Sequence, residues 1–438
     1  MLKTFINALK VQDIRKRLWF TFWILVVVRI GCQIPVPGID AAAVKEFLQN
    51  NLGDSFNFMN SFTGGSFENM SIFALNVTPY ITSSIIIQLL TIAIPALEEM
   101  QRDGEDGRKK LTAITRYVTV GLSIMEALGL VITFSRSGML LKDNIFTAIV
   151  IIVVLTAGGC SVMWLGERIS VSGIGNGISI VLLINIVSRM PSDFSNLYVQ
   201  FISSQTDIVK KVAAAIVILF VVVITTVLVI LLQDAERRVP VQYAKKTAGR
   251  KMIGGQSSYI PIKVNTANVI PIIFASSLLS IPSIFINLFN LKTNEFWGKI
   301  LTGMNQNYWF ASGHPWANIG LLVYIVLVII FAYFYTSITF NPMEIANNMK
   351  KSGGFIPGIR PGKPTQDYLN KILNYIVFIG VCGLIIVAII PIFFNGRFGA
   401  SVSFGGTSLI IIAGVIIETL KQIESMMLVR HYSGFLNE

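Results

Sequence analysis

The chain has 438 residues, of which 53% are hydrophobic and only 13% charged, with a formal net charge of +12. That balance cannot clothe the surface of two or three soluble domains, so a water-soluble globular protein is excluded and a membrane protein is indicated. Apolar runs near the roughly 20 residues needed to cross a bilayer recur throughout and leave no stretch for a separate soluble domain.

The N-terminal MLKTFINALKVQDIRKR has no apolar core and no small-residue cleavage site, so it does not read as a signal peptide. Leu2, Phe5, Ile6 and Leu9 instead space out the apolar face of a short helix lying on the inner surface. The first span is Leu18–Pro35, with Arg29 inside it, placed to snorkel or to pair. The loop over 36–71 carries SFNFMNSFTGGSFENMS, where Phe56, Phe58, Met59 and Phe62 fall at near-helical spacing ahead of Gly64 and Gly65. This stretch is too short and too polar to span; it reads either as an amphipathic surface loop or as a half-helix folding back into a cavity.

The second span, Ile72–Leu97, contains NVTPYI near its start, and the third, Tyr117–Phe134, holds Glu126 near its middle. The fourth is Ile145–Leu165 and the fifth Ile174–Val187. Gly173, Gly175 and Gly177 in SGIGNGISI do not make a dinucleotide fingerprint, because the spacing is wrong and no strand precedes them; helix entry or close packing is the expected use. The sixth span is Val212–Leu232, followed by a basic loop over 233–268 with QDAERRVPVQYAKKTAGRKM. The seventh, Val269–Phe289, opens on NVIPII. After the eighth, Ile319–Ile338, a second basic loop over 339–371 holds KKSGGFIPGIRPGKPTQDY. The ninth is Ile372–Phe394 and the tenth Leu409–Leu420, with Glu418 near its end; the short fifth and tenth are expected to extend into flanking polar turns. Continuous apolar runs of this kind are helical, not alternating strands, so the fold class is an all-α bundle of ten membrane helices.

Orientation follows from positive charge. With both termini cytoplasmic, inner segments hold 25 Lys and Arg residues against 9 in outer loops, which also accounts for most of the net charge. Ten spans divide into an N-terminal half over 1–200 and a C-terminal half over 201–438, and an odd number per half reverses the orientation of the second. NVTPYI and NVIPII then open the second span of each half, as an inverted repeat requires. Each basic loop exceeds thirty residues and is punctuated by Gly and Pro, which favours ordered turns and a docking surface for an acidic or RNA-containing partner over a mere topology signal.

Catalytic chemistry is sparse. The only histidines are His314 and His431, outside the spans, and no zinc-protease or phosphate-loop motif occurs, so an enzyme, a metal site and a bound cofactor are not expected. Cys32, Cys160 and Cys382 lie in or beside spans, which argues for packing residues and against a disulfide framework. An ion-coupled secondary transporter with inverted five-helix repeats is the alternative reading, but it wants several ionisable groups at midplane, and Glu126 stands nearly alone. Helices interrupted by Gly, Pro, Asn and Ser suit a wide, mostly apolar passage.

Long stretches of the chain resemble the SecY family, the channel subunits of the bacterial Sec protein translocon: RIGCQIPVPGIDAAAV, SIFALNVTPYITSSIIIQLL, WLGERISVSGIGNGISI, RRVPVQYAKK, VIPIIFASS, FNPMEIANNMKKSGGFIPGIRPG and FGGTSLIII. The resemblance implies two five-helix halves around an hourglass pore in the cell membrane, with a lateral gate to lipid between spans two and seven. It implies a pore ring of Val77, Ile81, Ile178, Leu182, Ile273 and Ile411, where Val77 and Leu182 depart from the family's usual Ile but stay aliphatic. It implies a plug over 55–67, carrying Phe56, Phe58, Met59, Phe62, Gly64 and Gly65, and gate residues Thr82 and Gln88 facing Ser277 and Ile281. It further implies docking of the ribosome and the motor ATPase SecA on Arg237, Arg238, Lys245, Lys246, Arg250, Lys251, Arg360 and Lys363. SecE and SecG are the implied membrane partners, and secretory and membrane proteins bearing signal sequences the implied substrates.

Overall fold

The computed structural model describes residues 9–46, 63–142, 144–203, 207–243, 246–248, 251–253, 257–289, 300, 303–304, 309–310, 316, 318–398 and 406–434. A helix underlies each of the ten expected spans: α1 Gln12–Gly31, α2 Thr78–Ala93, α4 Glu105–Arg136, α5 Ile145–Ser172, α6 Gly177–Leu197, α7 Ile208–Asp234, α8 Ile270–Phe289, α9 Asn318–Thr339, α11 Lys363–Phe398 and α12 Gly406–Gly434. Two short helices, α3 Pro95–Arg102 and α10 Pro342–Lys351, also lie among the described residues, and a π-helical turn covers Tyr198–Ser203. Among the described residues six helical stretches are long and apolar enough to cross a membrane, and α2 with α3 forms a seventh candidate bent by 108°. The surface helix expected over Leu2–Leu9 lies almost wholly outside the described residues.

The second span departs from its expected bounds at both ends, for reasons written in the backbone. Asn76 adopts φ 49°, a left-handed conformation no helix tolerates, so α2 starts only at Thr78. At the other end Pro95 forces Ile94 into an extended conformation, φ −113° and ψ 110°, and the chain turns into α3. The fifth and tenth helices extend beyond their apolar runs as expected, to Leu197 and Gly434.

The chain divides into two compact units. The first comprises Met1–Leu197, Leu288–Asn290 and Val415–Glu438. One core of the unit joins Val36, Ile39, Val44, Phe67, Met70 and Leu75 to Ala127, Val131 and Phe134 of α4 and to Ile151 and Leu155 of α5. Thr115, Thr119, Ser123 and Ala127 recur every four residues along one buried face of α4, and the Ser83 and Thr119 hydroxyls hydrogen-bond between α2 and α4. Small and hydroxylated residues of this kind let membrane helices approach closely. Gly158 of α5 shows how closely: a Cβ there would lie 1.9 Å from the Ile72 carbonyl oxygen.

The second unit comprises Tyr198–Asn287 and Leu291–Gly414. Its helix α7 presents Ile216, Leu219, Phe220 and Val223 outward, an apolar exterior that only lipid or another membrane helix can cover. Both basic loops, read from sequence as ordered turns, contribute β structure. Strand β1 Glu236–Tyr243 pairs antiparallel with β4 Ser257–Lys263, with Val239 opposite Ile260 and Val241 opposite Ser258. Between them lies a small hairpin of β2 Lys246–Ala248 and β3 Lys251–Ile253. A two-residue strand, β5 Gly354–Phe355, adds to β1 beside Gln242 and Tyr243, so the two loops share one sheet of order β4-β1-β5. Pro240 is tolerated in β1 because β5 stops short of it. Val239, Val241 and Ile262 form one buried face, packed into a core with Met349 of α10 and Leu369, Leu373, Ile376 and Val377 of α11. The Asn341 side chain caps α10, accepting from the Met343 and Glu344 amides at 3.2 and 3.4 Å, with Pro342 at the first helical position.

All three cysteines are free thiols, Cys32 buried, Cys160 half-buried and Cys382 exposed.

Candidate channel, plug-base and docking residues

In the first unit the candidate residues lie at and along α2 and on α6. Val77, 1% exposed, precedes the helix, and its carbonyl accepts from the Ile81 amide at 3.0 Å. Ile81 remains half-exposed, as does Thr82, whose hydroxyl donates back to the Thr78 carbonyl at 3.0 Å; Gln88 is exposed and donates to the Ser84 hydroxyl at 3.4 Å. On α6, Leu182 is 7% exposed and Ile178 half-buried, the latter resting on Gly166 of α5, where a Cβ would meet its Cδ1 at 2.5 Å.

Of the plug residues, Phe56, Phe58, Met59 and Phe62 lie outside the described residues. The two glycines that follow are described, and both need to be glycine: Gly64 and Gly65 have φ 65° and 84°. Gly64 is also wedged between the Arg29 side chain and the α6 backbone, since a Cβ would come within 2.6 Å of Arg29 Nη1 and 2.9 Å of Asn185 Cα. Arg29 uses that closeness, donating from Nη1 to the Gly64 carbonyl at 3.1 Å, with Asn185 Oδ1 at 3.5 Å. The intramembrane arginine therefore pairs with backbone instead of snorkelling. Ser66, fully buried, donates to the Thr63 carbonyl at 2.8 Å or the Phe73 carbonyl at 3.0 Å, and Asn76 Nδ2 donates to the Thr63 carbonyl at 3.2 Å. The Phe73 ring packs against Gly31 of α1, where a Cβ would meet it at 2.1 Å.

Sequence reading passed over Glu68. Its carboxylate takes Lys45 Nζ on Oε1 at 2.7 Å and Arg189 Nη1 on Oε2 at 2.6 Å. The charge-derived topology puts Glu68, Lys45 and Arg189 on one side of the membrane, but no local pattern pairs them, because they are far apart in sequence. Glu126 is half-buried on α4, with no ion pair among the described residues.

In the second unit Ile273 is half-exposed on α8, and Ile411 of α12 is 3% exposed. Ser277 and Ile281 lie on α8, but their side chains are outside the described residues. Asn268 repeats the conformation of Asn76, at φ 55°, and its Oδ1 accepts from Gln233 Nε2 at 2.9 Å.

Among the docking candidates, Arg237, Arg238, Arg360 and Lys363 are exposed. Arg238 is held in place, donating from Nε to Glu236 Oε1 at 2.7 Å while its guanidinium stacks over Tyr259 at 4.9 Å. The Glu236 hydrogen bond, then the Tyr259 and Glu236 charges, raise its already high pKa further. Arg360 precedes α11, and its carbonyl accepts from the buried Thr365 hydroxyl at 2.9 Å. Lys245 and Arg250 lie outside the described residues; Lys246 and Lys251 are fixed by backbone in the β2–β3 hairpin.

Residues 71–420 match the SecY family model. Over the full length of both chains the sequence is 43% identical, across 451 aligned residues, to the protein translocase subunit SecY of Streptomyces coelicolor. It is 39% identical, across 456 residues and again over both full lengths, to that of Mycobacterium tuberculosis. Among solved structures, one described as a protein conducting channel superposes with a TM-score of 0.63 at 18% identity, covering 94% of this chain and 92% of the other. Sec61 in a canine ribosome-channel complex superposes with a TM-score of 0.64, also at 18% identity and with the same coverage. These two likenesses concern the fold.

Proposed function

The chain belongs to the SecY family, and from that premise we propose how its parts serve a protein-conducting channel. It is a multi-pass membrane protein that passes polypeptides across the bilayer and releases apolar segments sideways into lipid; the full-length likeness to SecY subunits carries this reading and leaves the transporter alternative without support. In our reading both termini are cytoplasmic, the membrane is the cell membrane, and residues 1–200 and 201–438 are the two inverted halves.

Val77, Ile81, Ile178, Leu182, Ile273 and Ile411 line the constriction. An aliphatic ring sheds water and so resists ions, yet it grips no particular side chain and yields to a passing chain of any sequence. The segment around 55–67 closes the pore at rest. Thr82 and Gln88 of α2 oppose Ser277 and Ile281 of α8 at the gate, which a hydrophobic signal segment opens by exchanging exposed apolar surface for helix and lipid contacts. Arg237, Arg238, Lys245, Lys246, Arg250 and Lys251, with Arg360 and Lys363, form one docking face for SecA and the ribosome; the sharing of a sheet by β1 and β5 supports treating the two loops as a single surface. SecE and SecG complete the membrane assembly.

A stalled secretory polypeptide tests this directly. Cysteine at position 81 or 273, in chains carrying Ile81→Cys or Ile273→Cys, should crosslink to a probe in the translocating segment. Absence of crosslinking from both positions during active translocation would refute the assignment of the ring.

A further inference from the structure

The stretch from Thr63 to Val77 is held in an unusual way. Four of its residues, Gly64, Gly65, Met70 and Asn76, have positive φ, and two of these are not glycine. Side chains at such angles persist only where their surroundings over-determine them. Here the surroundings include a charge clasp: Glu68 stands between Lys45, which follows the first span, and Arg189, near the end of α6. Each carboxylate oxygen serves a different cation from a different part of the unit. Glu68 and Arg189 are largely withdrawn from water, with side chains 16% and 14% exposed, while Lys45 is 49% exposed. Arg189 Nε has no hydrogen-bond partner among the described residues, so that end of the guanidinium gains nothing to offset losing Glu68. Arg29 adds a third cationic hold four residues earlier, on the Gly64 carbonyl.

We infer that Glu68 is a positioning residue for the resting channel: by clasping the base of the plug segment through Lys45 and Arg189, it sets how strongly a signal segment must bind before the plug is displaced. This rests on the reading of 55–67 as a plug. Moving the segment away separates a largely buried acid from two cations. For the Glu68–Arg189 pair the loss exceeds that of a solvated surface pair because Arg189 is left poorly hydrated, whereas the half-exposed Lys45 contributes less. That cost adds to the closed-to-open difference, and a ligand shifts such an equilibrium only by its differential affinity for the two states. With the clasp removed, a weaker signal segment suffices.

The test uses the full chain, reconstituted with its co-purifying membrane subunits into planar bilayers and into vesicles. Glu68→Gln and Arg189→Gln should each raise resting ion conductance severalfold and allow transport of a substrate whose signal segment has been shortened by two leucines. The double variant should do no more than the stronger single one, because both substitutions remove the same pair. Glu68→Asp, which keeps a carboxylate, should restore much of the seal. A merely structural role would lower transport of every substrate and would not confer acceptance of the shortened signal. If Glu68→Gln does not accumulate, Lys45→Gln carries the same test from the exposed end. Deletion of residues 57–67 separates the two readings. A deletion that raises conductance beside a silent Glu68→Gln overturns the clasp alone; a deletion that leaves conductance unchanged overturns the plug and the clasp with it.

Discussion

Asn76 and Asn268 share one backbone conformation, left-handed at φ 49° and 55°, and each stands two residues ahead of a helix, α2 and α8. Each also makes a side-chain hydrogen bond, to the Thr63 carbonyl and from Gln233. The short words NVTPYI and NVIPII thus encode the same event: Asn permits the turn, a proline three residues on falls in the first turn of the helix, and an isoleucine follows soon after. Left-handed geometry costs an ordinary L-residue about 1–2 kcal/mol, and a β-branched one more. Asn76→Val and Asn268→Val should each lower stability by at least that amount, read as the unfolding midpoint of the purified protein in detergent. Asn76→Gly and Asn268→Gly should both be milder than Val, since glycine accepts the turn, but each still gives up a side-chain hydrogen bond, to the Thr63 carbonyl and from Gln233.

Two glycines in neighbouring helices should respond in opposite directions. Gly158 of α5 has no room, with the Ile72 carbonyl oxygen 1.9 Å from a Cβ position, so Gly158→Ala must push α5 away from the start of the second span. A destabilisation of about 1–3 kcal/mol is expected, as for other overpacked sites. Gly121 of α4 meets nothing within 4 Å, and Gly121→Ala should stabilise by up to about 1 kcal/mol through helix propensity alone. Thermal midpoints of the two variants, measured side by side, check both signs.

Much of this was legible in the sequence because lipid imposes so simple a rule. An apolar run such as Val212–Leu232 has no alternative to a helix, and α7 follows it closely. Helix ends were less legible, because they depend on single residues acting against the apolar pattern: α2 stops where Pro95 bends the chain, inside the run Ile72–Leu97. The sheet of order β4-β1-β5 was hidden for another reason. Val239 and Val241 do alternate with exposed residues, but the signal covers few positions and is interrupted by Pro240, and β5 is a strand only because β1 is beside it. Glu68 could not be found by local pattern at all, since Lys45 and Arg189 are brought to it by tertiary packing.

The shared sheet makes a distinct prediction for the cytoplasmic face. Arg238 and Arg360 sit on the two loops that β1 and β5 join, so charge reversal at both should impair the same partners, not separate ones. Arg238→Glu with Arg360→Glu is expected to weaken binding of both ribosomes and SecA by tenfold or more, equivalent to about 1.4 kcal/mol. For the ribosome, the slope of log affinity against log salt should fall by about one for each phosphate that is no longer neutralised. Co-sedimentation across a salt series measures both quantities. Tyr259→Ala should have a smaller effect in the same direction, since it frees Arg238 from its stacked position without removing the charge.

The aliphatic ring makes the most direct demand on the channel reading. Ile81 and Ile273, in the first turns of α2 and α8, are the two half-exposed members of the proposed ring that come from the paired motifs. In that proposal their branched side chains would supply the bulk that seals the constriction. Replacing both with Gly opens a path wide enough to stay wetted, so resting conductance of reconstituted channels should rise, with little discrimination among small ions. Replacing both with Leu keeps volume and apolarity, so the seal should hold. A Ser pair separates the two properties: it narrows the path relative to Gly but offers hydroxyls that hold water, and conductance should stay high. If Ser behaves like Leu, an apolar lining at these two positions is not what closes the pore; if Gly behaves like Leu, neither residue belongs to the constriction.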